Sequence, residues 1–122
     1  MWKQLSLMLG LLWVLLPAGL AAQAQVEGDW DVTFHRGEES VEALMTLERD
    51  ADAVAGRVAN EQMSFEVDCA VRRDELECVG EVDDGGSDVV AIILRGVVED
   101  GEITGTADYG DWGRGDWVAK RR

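Results

Sequence analysis

From Gly28 onward, apolar side chains fall on every second position in short runs parted by Gly, Asp and Asn. A period of two, with no helical rhythm behind it, marks half-buried β-strands. The first run sets Trp30, Val32 and Phe34 on one face and Asp29, Asp31, Thr33 and His35 on the other. After Arg36-Gly37-Glu38-Glu39, a second run points Val41, Ala43, Met45 and Leu47 inward, with Glu42, Thr46 and Glu48 outward. Asp50-Ala51-Asp52 turns the chain into a short third strand from Val54 to Val58. In the fourth, Phe65, Val67, Cys69 and Val71 share a face; in the fifth, Leu76, Cys78 and Val82 alternate with Glu75, Glu77 and Glu81.

The link between the fourth and fifth runs fixes a register. With Arg73 and Asp74 as the turn, 72 pairs with 75, 71 with 76, 70 with 77, and Cys69 faces Cys78. In that register the cysteines form a non-hydrogen-bonded pair, where strands approach most closely and a cross-strand disulfide is feasible.

The sixth strand, Val89 to Val98, is apolar on both faces: Val90, Ile92 and Leu94 on one, Val89, Ala91, Ile93 and Val97 on the other. A strand of that kind needs cover on both sides. Asp100-Gly101 then supplies a tight hairpin turn, Ile103 to Ala107 returns with Gly105 inside it, residues 108–116 read as a loop carrying Tyr109 and Trp112, and Trp117 to Arg121 make the last strand. Eight strands with short connections predict an all-β protein, a single small antiparallel up-and-down barrel. Interior glycines at 56, 80, 96 and 105 suit the bends of a closing sheet, and closure removes exposed edges.

Residues 1–24 have a different pattern. Lys3 precedes an apolar stretch from Leu5 to Leu16, Pro17 interrupts it, and Ala22-Gln23-Ala24 forms a small-x-small site. That is the layout of a cleaved secretory signal, and its apolar run is shorter than the roughly 20 residues that span a bilayer. The expected product is the domain 25–122, exported to a periplasm or secreted, and free of membrane after cleavage. An oxidising compartment favours a Cys69–Cys78 bridge.

Charge narrows the partners. The chain has 25 acidic against 11 basic side chains, a formal net charge of −14. Such a field repels nucleic acid and anionic lipid.

Gly28-x-Trp30, the glycine in Val54-Ala55-Gly56, the hairpin from Gly96 to Gly105 and the ending Gly115-Asp116-Trp117-Val118-Ala119-Lys120-Arg121 resemble a lipocalin-like or streptavidin-like small barrel domain of exported bacterial proteins. The likeness covers essentially the whole of 25–122. It implies a barrel in which a first-strand tryptophan packs beneath an arginine of the last strand. Trp30 and Arg121 look like that pair, with Trp117 completing the barrel-closing core.

No catalytic constellation, cofactor loop or strong metal motif is present in the pattern, so a non-enzyme without a cofactor is expected. His35, near Ser40, lies on an outward face and has no nucleophile-elbow glycines around it. Asp83, Asp84, Ser87 and Asp88 offer oxygens for a weak calcium site, but the spacing is not that of an EF-hand, and turn chemistry accounts for the same residues. Arg114-Gly115-Asp116 spells an adhesion tripeptide within the strand-opening frame.

Three roles stay open on these residues. The first is a binding or protein-interaction module, its surface the outward ridge Val89, Ala91, Ile93 and Val97 with Tyr109 and Trp112, its partner a second copy or another protein. For that reading, the alternative is that the loop 108–116 covers the ridge, or that Tyr109 and Trp112 form a lid on one mouth. The second is a carrier of a small apolar ligand, which calls for an interior cavity above about 300 Å³. The inward list from Trp30 to Trp117 contains no polar group to orient a guest, which favours a filled core. The third is a secreted protease inhibitor, which calls for a free Gln25 to Gly28 segment.

Overall fold

The computed structural model describes residues 25–51, 53–83 and 88–122. Residues 1–24, expected to be a signal, and the loop residues Asp84 and Ser87 lie outside the described residues.

Each period-two run folds as a strand: β1 (Gly28–Arg36), β2 (Glu39–Asp50), β3 (Ala53–Ala59), β4 (Ser64–Arg72), β5 (Glu75–Asp83), β6 (Val89–Glu99), β7 (Glu102–Asp108) and β8 (Arg114–Arg121). Every strand pairs antiparallel with its neighbour in sequence, and β8 returns to β1 to close the barrel. Trp30 lies opposite Arg121, and Phe34 opposite Trp117, along that seam. Closure turns the pleat into an inside and an outside. Trp30, Val32, Met45, Leu47, Val54, Val58, Phe65, Val67, Leu76, Leu94, Ile103, Trp117 and Ala119 fill the interior. Each large aliphatic side chain buried in this way is worth about 1.5–3 kcal/mol.

The β4–β5 hairpin has the register its two-residue turn dictates, from Arg72↔Glu75 to Cys69↔Cys78. The cysteines are bonded, with Cα atoms 4.0 Å apart, and both are buried. A bridge that closes so short a loop adds about 2–3 kcal/mol through the unfolded chain. Its placement between Val54 and Leu94, the cross-strand partners on either side, locks the register of the wall around it.

Two boundaries and one face differ from the sequence expectation. β7 extends to Asp108 and β8 begins at Arg114, so the expected loop 108–116 shrinks to 109–113. The added pairs, Thr106↔Asp116, Ala107↔Gly115 and Asp108↔Arg114, are backbone pairings that side-chain polarity does not report. The Arg114-Gly115-Asp116 tripeptide is accordingly strand, with Arg114 paired to Asp108 at 3.4 Å. Val41 is on the inward face of β2 but 38% exposed, because it sits at the rim where the barrel runs out of cover.

One interior contact depends on glycine. Gly96 and Gly105 lie opposite each other across β6 and β7. The Trp117 ring fills the space above them: a Cβ on Gly96 would stand 3.0 Å from its Cζ2. The indole donates to the Arg95 carbonyl at 3.0 Å. A Cβ on Gly105 would lie 1.7 Å from that same carbonyl oxygen, a distance no repacking of side chains can relieve. Gly105→Ala is expected to cost at least about 2 kcal/mol, read as a lowered midpoint in chemical denaturation with an unchanged slope.

Candidate functional site

The two ends of the barrel are finished by different chemistry. At one end, residues before β1 fold back over the interior. Val26 is fully buried, and its carbonyl accepts the Trp30 indole N–H at 2.9 Å. The Arg121 guanidinium lies 4.3 Å from the Trp30 ring centroid, the stacking expected of a first-strand tryptophan and a last-strand arginine. From there it donates through Nη1 to the Glu27 carbonyl at 2.6 Å and through Nη2 to the Gln25 carbonyl. Gly28 adopts φ +122°, and a Cβ there would be 2.9 Å from Arg121 Nη1. Gly28-x-Trp30 and Arg121 therefore work as one unit, the glycine leaving the gap through which the arginine reaches the backbone. Glu27 is further tied to Arg49 at 3.1 Å. Gln25 to Gly28 thus does not lie free at a mouth, contrary to the condition set for an inhibitory segment.

The other end is aromatic. Tyr109 follows β7 directly, and the chain doubles back on itself: the Tyr109 N–H donates to the Gly113 carbonyl at 2.8 Å, and the Gly110 N–H to Asp108 Oδ1 at 2.9 Å. A single 3-10 turn, Gly110–Trp112, spans the bend. This fold drives the Tyr109 ring inward, to 9% exposure, edge-on to Phe34 at 6.5 Å and 76°. Phe34 in turn stacks on Trp117 at 6.5 Å and 26°. Trp112 stays at the rim, 40% exposed, with its carbonyl 3.5 Å from the Arg36 guanidinium that donates to it. Of the sequence alternatives for this loop, it is the mouth that Tyr109 packs on, while Val89 and Ala91 of the ridge stay exposed.

Between these rings lies a pocket of about 170 Å³. Phe34, Phe65 and Ile92 line it with Val41, Met63 and Val82, Tyr109 and Trp112 contribute aromatic surface, and the Arg36–Glu39 ion pair (3.0 Å) belongs to its lining. The volume falls short of the 300 Å³ or so that the carrier of a small apolar ligand calls for, and leaves room for a guest no larger than a single ring. It is close to that of an apolar cavity of about 150 Å³ that takes benzene.

Sequence reasoning found Phe34, Val41 and Phe65 as inward residues and offered Tyr109 as either an exposed anchor or a lid on one mouth; the structure packs its ring on the mouth. The Tyr109 oxygen is buried and, among the described residues, is the one buried side-chain polar atom with no hydrogen-bond partner. Burial pushes the phenol up from its ordinary 10.0; Arg36 opposes the shift and Asp116 reinforces it.

The ridge on β6 does face outward. Val89 is 60% exposed and Ala91 is exposed, whereas Ile93 is half-buried. Val79 of β5, 43% exposed, lies beside Ile93 in register and widens the patch. Val97, though exposed, is separated from the rest by Arg95, which pairs with Glu77 at 3.0 Å. The run Glu75, Glu77, Glu81 had hidden Val79 within an otherwise polar face.

His35 Nδ1 and Ser40 Oγ share a hydrogen bond at 3.0 Å on the exposed surface, outside the pocket. Among the described residues, no group of three or more His, Cys, Asp and Glu has an arrangement able to hold a metal ion. Of the calcium-loop candidates, Asp83 ends β5, and Asp88, which precedes β6, is exposed.

Fold and site together define a small closed antiparallel barrel, one end sealed by backbone-directed polar contacts and the other bearing an apolar, aromatic pocket. Comparison with known protein families, curated proteins and solved structures found no match to this chain.

Tyr109 is the single tyrosine, so the phenolate absorbance of the folded protein reports it alone. The fold prefers the neutral phenol, so the associated stability is complete below pH 10.0 and is lost as pH climbs through the raised folded-state value. The expected titration midpoint lies above 10.0 in the folded protein and returns to about 10 in denaturant. A midpoint at or below the denatured one would contradict this placement.

Proposed function

We propose that this protein is an exported, non-catalytic binding module of the lipocalin-like kind, freed of residues 1–24 in an oxidising compartment, and that it takes a small apolar ligand into the aromatic mouth. The observation that carries this reading is the pocket itself: an apolar recess of about 170 Å³ at one end of a barrel whose other end is sealed. A pocket of few polar groups and pre-set walls is the usual form of a small-molecule site. The buried disulfide fits an oxidising location. The anchored Gln25 to Gly28 segment removes the feature on which a protease-inhibitor role would have rested.

A second role, docking of a protein on the β5–β6 face, is favoured by exposed Val79, paired with half-buried Ile93, beside exposed Val89 and Ala91, which together form an apolar strip. The two sites are on different faces and do not compete.

Binding is tested with ethylbenzene as probe. Saturable chemical-shift changes confined to the pocket lining, Phe34, Val41, Met63, Phe65, Val82, Ile92, Tyr109 and Trp112, are expected, with a sub-millimolar dissociation constant, about −5 kcal/mol. Val82→Trp, which fills the recess, abolishes them; shifts that are absent or scattered over the barrel overturn the reading. The docking face is tested by light scattering of the parent and Ile93→Asp. A parent heavier than one chain that reverts to monomer in the variant supports self-association, and a monomeric parent with unchanged mass in the variant removes it.

A further inference from the structure

Cleavage after Ala22-Gln23-Ala24 makes Gln25 the first residue of the mature chain, and the seal of the closed barrel end is built from that residue onward. The Gln25 carbonyl accepts from Arg121 Nη2, Val26 is fully buried, and the Val26 carbonyl accepts the Trp30 indole N–H at 2.9 Å. Gln25 itself is exposed. The fold thus engages this residue through its carbonyl oxygen and leaves its side chain at the surface, where the amide can meet the new α-amine.

We propose that Gln25 is a modification site: once residues 1–24 are removed, it closes on itself to pyroglutamate, and the mature barrel starts with a neutral lactam. The inference rests on the reading of residues 1–24 as a cleaved signal and goes beyond the ligand and docking roles. In this step the α-nitrogen attacks the side-chain amide carbon. The bond from the α-nitrogen to Cδ forms, the bond from Cδ to Nε2 breaks, and one proton of the α-amine leaves with Nε2 as ammonia. Nothing is oxidised or reduced, and no co-reactant is consumed.

Two features of this end favour the reaction. The attacking form is the uncharged amine, and an α-ammonium here would stand close to a cation. The nitrogen of a residue lies within about 4 Å of its own carbonyl oxygen, and the Gln25 carbonyl is in contact with the Arg121 guanidinium. The two charges would fall within a Debye length, about 8 Å at physiological salt, and a like charge disfavours the ammonium. Glu27, the carboxylate of this segment, is held by Arg49 at 3.1 Å. The second feature is that the lactam takes up the nitrogen and the side chain, whereas the seal uses the carbonyl, so the bond to Arg121 and the burial of Val26 persist.

The product has a consequence for the seal. An aminopeptidase that removed Gln25 and Val26 would strip acceptors from Arg121 and from the Trp30 N–H and uncover the interior at that end. A lactam denies such an enzyme its free α-amine.

The test expresses the full chain with residues 1–24, recovers the exported product and measures its intact mass after incubation at neutral pH. Expected is the mass of disulfide-bonded 25–122 less one ammonia, with the loss mapping to the tryptic peptide that ends at Arg36. Amine acylation reads the same step independently. Lys3 departs with the signal and Lys120 is the one lysine left, so the cyclised protein takes one label and the open form takes two. Gln25→Ala should take two labels, and an aminopeptidase should shorten it and lower its denaturation midpoint under conditions that leave the parent intact. A product that starts at Gln25 with full mass and two labels overturns the proposal and leaves the cleavage reading standing. One that starts elsewhere, or keeps residues 1–24, overturns both. A cyclised parent and a Gln25→Ala chain that resist the peptidase equally overturn the protective role of the lactam.

Discussion

The pairing of β1 with β8 is the constraint from which the rest of the barrel follows. An antiparallel sheet of alternating apolar and polar positions has one face that must avoid water, and a sheet this small has no second layer to cover it. Joining its first and last strands turns that face inward and leaves no unpaired edge. The seam carries Trp30 and Phe34 from one strand against Arg121 and Trp117 from the other, so the contacts that close the barrel also furnish both of its ends. Trp30 and Arg121 finish one end; Phe34 and Trp117 begin the aromatic stack of the other.

The asymmetry between the ends is one of hydrogen bonding. Where the chain enters, the Arg121 guanidinium has backbone carbonyls within reach and Val26 drops into the interior, so polar and apolar needs are met together. Where β7 leaves for β8, the tight loop satisfies its own backbone groups and pushes an aromatic ring inward, leaving a gap among rings too stiff to collapse upon it. The pocket is thus a packing consequence of a short loop that ends in rigid side chains.

Much of this was legible in the residue order. Arg73-Asp74 between alternating runs determines which residues face each other, and the disulfide between Cys69 and Cys78 follows from that count. Trp30 with Arg121 was suggested as a pair by the resemblance and not by the residue order, and the reason for Gly28, room for the guanidinium, needed coordinates. Tyr109 was legible only as one of two alternatives, an exposed anchor or a lid on one mouth. A stretch of Gly and Asp does not decide between them, because the inward turn depends on β7 and β8 pairing farther than their side chains suggest. Val79 was hidden for a related reason: it becomes part of an apolar surface only when β6 is laid beside it.

Local order alone determined the strands, their inward faces, the hairpin register and the disulfide, because each is set by the period of the pleat and by turn lengths, which act between near neighbours. Tertiary structure decided how the ends are sealed, where the Tyr109 hydroxyl goes and that a recess remains among Phe34, Phe65 and Ile92. Those outcomes depend on side chains far apart in sequence competing for one small volume, and that competition exists only once the sheet has closed.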